Sequence, residues 1–297
     1  MGTPDFAVAP LKYLIESGEH IAGVFTQPDK PKGRKAVLTP PPVKVLALEH
    51  NIPVYQPVSF KTEAAAQLVR SLEADVTIVA AYGKILPAQV LYAPRLGSIC
   101  LHGSLLPELR GAAPIQWSII NGNKVTGITA MQMDEGIDTG DILLSRELEI
   151  GRDETAGELF ERLSQLSVEV LKQTMQELKN GTLKPVKQDN SRSSYAPMLT
   201  KADSPVDFSC SAQAVHNKIR GLYPYPCAVC ELAGVTVKLH KSQIYGRVQG
   251  SAGDIITCDG KLIAVCGDGN GVELITIQAP GSRAMSAAEY LRGHKLD

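Results

Sequence analysis

The sequence predicts an α/β protein: a Rossmann-like, doubly wound domain with a mostly parallel sheet, followed by a smaller OB-like β-barrel. Three observations carry this expectation. Apolar, β-branched runs alternate with helix-patterned segments through the first half of the chain. The pattern loses its period between residues 181 and 204. Short alternating strands separated by Asp-Gly turns fill most of the chain beyond residue 220.

In chain order, Ile21 to Phe25 is a short strand, Val43 to Glu49 a helix, and Pro53 to Tyr55 is extended again. Glu63 to Leu72 (EAAAQLVRSL) is built from strong helix formers. Asp75 to Ala81 (DVTIVAA) reads as a strand buried on both faces. Gly97 to Leu101 and Ile128 to Met133 are two further strands, and Glu154 to Lys179 is a long amphipathic helix. After the aperiodic stretch, a helix over Ala212 to Arg220 precedes strands at Ala228–Leu232, Thr236–His240, Gly253–Cys258, Leu262–Cys266 and Val272–Ile277. The chain opens on MGTPDF, a glycine-containing turn that leads into a helix. The strand that normally opens a doubly wound domain is not there: either translation starts further upstream, which is the favoured expectation, or the chain folds with a gap in its sheet.

Bulk properties narrow the function. The chain has 297 residues, 44% of them hydrophobic and 21% charged, as in an ordinary globular protein of one or two domains. No apolar run reaches membrane-spanning length, and the first residues lack a secretory signal pattern. Six irregularly spaced cysteines fit reduced thiols in the cytoplasm. A net charge of −1 confines any nucleic-acid contact to local basic patches.

Ligands of doubly wound folds bind beyond the carboxyl ends of the strands. Three loops therefore stand out: AAYGKILP, LHGSLLP and MDEGIDTGD. His102 ends a buried strand and is followed by Gly103-Ser104, which admits a ligand close to the backbone, and by the apolar turn Leu105-Leu106-Pro107. The carboxylates of the Asp134–Asp141 loop, at the end of another strand, are placed to orient an imidazole and form a proton-handling pair with it. A buried structural histidine and an acidic surface turn are the plainer alternatives. Cys227-Ala228-Val229-Cys230 has no second ligand pair and reads as apolar filling rather than zinc binding. Gly267–Gly271 reads as a hairpin turn, and neither a dinucleotide fingerprint nor a Walker lysine is present.

The segments GSICLHGSLLPELRGAAPIQ and TGITAMQMDEGIDTGDIL, with GTPDFAVAPL, QPDKPKGRKAVLTPPPVK, VAAYGKILP and AMSAAEYLRGH, resemble the folate-dependent formyltransferases, and among them the methionyl-tRNA branch. The resemblance covers nearly the whole chain. It implies a formyltransferase domain over residues 1–183, a linker over 184–203 and an OB-like tRNA-binding domain over 204–297. The implied reaction moves a formyl group from 10-formyltetrahydrofolate to the α-amine of methionine on initiator tRNA. It implies His102 as the catalytic histidine, Asp138 as the aspartate that sets it, and Ser104, Leu105, Leu106 and Pro107 as the folate-binding segment. No metal is implied, and a monomer is expected.

One position departs from the family. Where its strand ends Asn-x-His, this one ends Cys100-Leu101-His102. A thiol is a weak donor to a developing oxyanion, and losing one such donor typically costs about 10²–10³ in turnover. Three readings stay open: a slow enzyme working through His102 and a water, a paralogue that binds folate or tRNA without turnover, and a Cys100 that itself accepts the formyl group as a thioester. A formyltransferase for a small amine is a further alternative. The basic proline-rich loop reads by itself as a solvated surface loop; the resemblance implies that its Lys30, Lys32, Arg34 and Lys35 reach the tRNA acceptor stem, mostly through phosphates. Lys238, His240, Lys241, Arg247 and Arg283 are weaker candidates for a backbone-binding face on the barrel.

Overall fold

The structure is a computed structural model that describes residues 1–33 and 36–294. It divides into two units. The first is Met1–Ala112, Thr126–Leu148 and Phe160–Ala196; the second is Ala113–Val125, Glu149–Leu159 and Pro197–Asp297.

The first unit carries the strands β1 (Val24–Phe25), β2 (Lys30–Lys32), β3 (Val37–Thr39), β4 (Val54–Tyr55), β5 (Thr77–Val79), β6 (Ser98–His102), β7 (Arg110–Gly111), β8 (Val125–Gln132), β9 (Ile142–Glu149) and β10 (Tyr195–Ala196). Strands β1 and β4 pair in parallel, as do β5 and β6. The sheet then turns antiparallel at β8 and continues to β9. Among the described residues, Met1 and Gly2 lie between the two parallel pairs: Gly2 N–H donates to Phe25 O at 3.0 Å, and Ala80 N–H donates to Met1 O at 2.9 Å. The opening position of the sheet is thus held by two residues. A small apolar cavity of about 40 Å³, lined in part by Leu11, Leu14, Val24, Val43 and Ile78, lies beside them.

Helices cover this sheet for reasons visible in their spacing. In Glu63–Ser71, Ala65, Ala66 and Val69 are buried, and they join a core that includes Phe25, Val79, Tyr82 and Leu91. In Ala156–Asn180, Leu163, Ser167, Val170, Leu171 and Thr174 are buried at helical spacing. Its Thr174 hydroxyl is satisfied by Val170 O at 2.7 Å. Among the described residues no helix is long and apolar enough to cross a membrane.

In the second unit, β11 (Ala228–Leu232), β12 (Val235–Arg247), β13 (Ile255–Cys258), β14 (Lys261–Val265), β15 (Asn270–Gln278) and β16 (Met285–Ser286) form one sheet in the order β11-β12-β15-β14-β13, with β16 on β15. Every pairing in it is antiparallel, and bulges bend β12 against β15. Alternate residues point inward, among them Val237 and Leu239, Leu262 and Ala264, and Val272 and Leu274. The helix Ala212–Leu222, capped by the Ser211 side chain on Ala214 N–H, buries Val215 and Ile219 against them. A second helix, Pro114–Ile120, packs on the first at Gly221, where an added Cβ would stand 2.6 Å from Ile120 Cγ1. Both cysteines of the 227–230 pair are buried, and the Cys227 thiol meets Leu239 O at 3.5 Å.

Residues 184–203 are not free of structure. They contain a 3-10 turn (Asn190–Arg192) and the strand β10, which pairs in parallel with β7. Gly111 is required at that crossing, because its φ is +115° and a Cβ there would sit 2.7 Å from the Tyr195 ring.

Candidate active site

His102 is the last residue of β6, a strand buried along most of its length. Its side chain is 7% exposed. Leu109 O lies 2.9 Å from Nε2. A carbonyl only accepts, so Nε2 carries a hydrogen and Nδ1 is left facing Asp138, whose Oδ2 stands 3.6 Å away. Of the acidic residues in the 134–141 loop, Asp138 is the one that meets the ring; Asp134 instead accepts from Gly136 N–H and the Thr139 hydroxyl.

Asp138 is held from both ends. Its Oδ2 accepts Gly111 N–H at 2.8 Å, and its backbone carbonyl accepts the Gln188 amide at 2.9 Å. Its φ is +53°, the left-handed region that few residues other than Gly and Asn occupy without strain. The loop also needs Gly140, because a Cβ there would collide with Gln132 O.

Cys100 lies two residues before His102, so both side chains project from one face of β6. It is half-buried, packed beside the core that contains Phe25 and Val79. Burial, and then the nearby negative charge of Asp138, push its thiol well above the ordinary range. A thiol so placed stays protonated at neutral pH, which disfavours the thioester route.

The segment after His102 is fixed by one hydroxyl. Thr129 Oγ1 donates to Ser104 O at 2.7 Å and accepts Leu106 N–H at 3.2 Å. Ser104, Leu106 and Pro107 are buried, and Leu105 alone of the four keeps partial exposure. Three of the four therefore build the loop from inside. Gly127 lets β8 pass beneath it, since a Cβ there would stand 2.6 Å from Leu105 Cδ2.

Lys30 and Lys32 are exposed on β2; Arg34 and Lys35 lie outside the described residues. The base of that loop is anchored by Lys44, whose Nζ meets both carboxylate oxygens of Asp29 (2.9 and 2.8 Å) and Gln56 Oε1 (2.9 Å). The hydrogen bond from Lys44, and then that from Gln56, hold the Asp29 carboxyl below its ordinary range. Of the barrel candidates, Lys238, Lys241, Arg247 and Arg283 are exposed, and His240 is half-buried with its ring 5.2 Å from that of Tyr223.

Residues 1–175 match the formyl transferase family model and residues 198–295 the formyl transferase C-terminal domain model. A protein of Ruminiclostridium cellulolyticum named methionyl-tRNA formyltransferase is 49% identical over 100% of this chain and 96% of its own length. This chain belongs to the formyl transferase family. A Geobacter metallireducens protein of the same name is 46% identical over 100% of this chain and 95% of its own. The sugar 3N-formyl transferase WlaRD, solved with dTDP and 5-N-formyl-THF, shares the fold with a TM-score of 0.71, at 20% identity over 95% of this chain and 97% of that one.

Within this formyl transferase, sequence reasoning missed Gln188 and Ser194. Ser194 Oγ accepts Leu109 N–H at 2.9 Å, and its carbonyl accepts Arg110 N–H at 2.9 Å. Both residues sit in a stretch without period, and their partners are about eighty residues away in sequence. Among the described residues no group of three or more His, Cys, Asp or Glu is placed to hold a metal ion.

Proposed function

We propose that this chain is a monomeric cytoplasmic enzyme that transfers a formyl group to the α-amine of methionyl-initiator tRNA. The observation that carries the reading is the His102–Asp138 pair at the carboxyl ends of β6 and β8, in a chain alike over its full length to proteins named methionyl-tRNA formyltransferases.

When bound, 10-formyltetrahydrofolate supplies a formyl group on a nitrogen that can leave as an amine. The 103–107 turn fits such a molecule. Ser104 O, Leu106 N–H and the Ser104 hydroxyl are satisfied within the protein, by Thr129 and by Glu108 O at 2.6 Å, which leaves the half-exposed Leu105 side chain to meet an apolar part of the donor. The acceptor amine attacks the formyl carbon, whose oxygen becomes negative. In the free protein the Nε2–H of His102 is taken by Leu109 O, so it becomes the donor to the oxyanion when bound substrate exchanges that contact. Asp138 fixes the ring orientation and stabilises its positive form. The ammonium proton leaves through this pair, the bond from carbon to the folate nitrogen breaks, and that nitrogen takes up a proton. Cys100 supplies a weaker hydrogen bond than a carboxamide would, so a slow chemical step is expected. Lys30, Lys32, Arg34 and Lys35 contact acceptor-stem phosphates, and the exposed bases of the barrel add non-specific attraction.

Single-turnover formyl transfer to methionylated initiator tRNA tests the reading, with methionylated elongator tRNA and an amino sugar nucleotide as competing acceptors. Transfer to the initiator alone is expected. Transfer to the amino sugar and not to either tRNA would replace the acceptor assignment, and folate binding without any transfer would leave a binding protein.

A further inference from the structure

We infer that Gln188 is a positioning residue for the formyl-transfer site, clamping the Asp138 loop so that its carboxylate stays aimed at His102; this rests on the function proposed above. Gln188 is the only residue between 184 and 190 that is not exposed. Its amide nitrogen donates twice, to Asp138 O at 2.9 Å and to Gly140 O at 2.7 Å. Its amide oxygen accepts twice from one guanidinium, Arg110 Nε at 3.1 Å and Nη2 at 2.8 Å. Arg110 is further steadied by Asn190 Oδ1 at 2.8 Å. Every principal hydrogen-bonding position of the Gln188 amide is therefore used.

These bonds close a ring. Leu109 O holds the His102 ring, Arg110 comes next after Leu109 and holds Gln188, Gln188 holds the Asp138 backbone, and Asp138 faces His102. Gly111, next in the same turn, holds the Asp138 carboxylate. An aspartate kept in the left-handed region persists only where its surroundings over-determine it, and the Gln188 amide is what restrains its backbone. Val186 pairs with Ile142 in both directions (2.8 and 2.9 Å) at the far end of the loop, so the same segment brackets the loop twice. Catalytic geometry is sensitive to displacements of about 1 Å, which can cost on the order of 10²-fold in rate.

Gln188→Glu separates a positioning role from a merely structural one. It keeps the oxygens that receive Arg110, strengthens that contact and so retains the docked segment, but it removes both donors to the 138–140 carbonyls. The expected result is a kcat lower by roughly 10- to 10²-fold, with both KM values within about two-fold, matching Gln188→Ala. Hydrogen exchange is expected to accelerate in both variants more in the peptide 133–141 than elsewhere in the first unit. In an Asp138→Asn background, which tolerates the same backbone, the Gln188 substitution is expected to cost no further rate, because both act through one group. A Gln188→Glu enzyme with wild-type kcat, or a loss that adds fully to that of Asp138→Asn, would overturn the inference. Unchanged exchange in 133–141 would overturn it whether or not the wild-type protein transfers formyl. A wild-type protein that transfers none would instead sink the proposed function.

Discussion

Replacing Cys100 with Asn is expected to accelerate formyl transfer. Cys100 pairs with Val79 of β5 on one side and Met131 of β8 on the other, so its backbone is fixed in the middle of a sheet and the substitution changes only the side chain. Its side chain shares a strand face with His102, two residues on, so a donor at 100 and a ring at 102 can bracket one oxygen. A carboxamide N–H aimed at an oxyanion is worth about 2.7–4 kcal/mol, or about 10²–10³ in kcat. The protonated thiol supplies a small part of that, so a gain near 10² is expected. An amide left without a partner in the free enzyme costs about 1–3 kcal/mol, which for a chain of this size lowers the melting temperature by about 2–4 °C per kcal/mol. Single-turnover transfer to methionylated initiator tRNA, with thermal unfolding run alongside, reads both effects. A rate within three-fold of wild type in a well-folded Cys100→Asn protein would refute the reasoning, since the oxyanion would then be held by a donor other than residue 100.

Thr129→Val keeps the shape of β8 but strands Ser104 O and Leu106 N–H; a loss of about 1–3 kcal/mol and a raised KM for the folate donor are expected, read by urea unfolding and steady-state kinetics. His216 is buried against Ser242 Oγ (2.9 Å to Nδ1), and burial, then the Arg220 charge, hold its pKa below the ordinary value. The unfolded chain therefore takes up this proton first, so the stabilising contribution is full above about pH 6.5 and is lost as pH falls below it. Urea midpoints at pH 5.5 and 7.5 should differ less in His216→Gln than in wild type, and an unchanged difference would assign the pH dependence to other groups. Lys30→Ala with Lys32→Ala should flatten the plot of log Kd for tRNA against log salt by about 0.7–0.9 per lost phosphate contact and leave the folate KM untouched; an unaltered slope would remove both lysines from the RNA contact.

Much of the fold is legible because its signals are local. The run EAAAQLVRSL declares a helix, and the strands at 98–102 and 228–232 fall within a residue of their expected bounds. Strand β9 is not expected from its sequence: ILLSRELE ends in alternating charges on a largely exposed surface, a pattern as suited to a turn or helix. The helix Pro114–Ile120 is hidden by its place between two motifs of the first unit, although its buried side chains belong to the second. At the site, His102 is marked by its position at a strand end, but spacing alone does not separate Asp138 from Asp134 or Asp141. What separates them is a left-handed backbone at one residue, and its cause lies in Gly111 and Gln188, far away in sequence. A two-residue strand such as β10 has no period to detect, and its partner is known only once the chain is folded.

The pairing of β10 with β7 bears on how this enzyme can be dissected. A fragment ended at residue 175 or 183 keeps His102, Asp138 and the whole 103–107 turn, yet it loses Gln188, Ser194 and the strand that lines Arg110 and Gly111. If the proposed site is right, such a fragment is expected to be inactive even toward a free amine acceptor, and that loss would not show that the barrel takes part in the chemistry. A fragment meant to keep these contacts must run through Ala196, and it would still carry residues 113–125 and 149–159, which pack with the second unit.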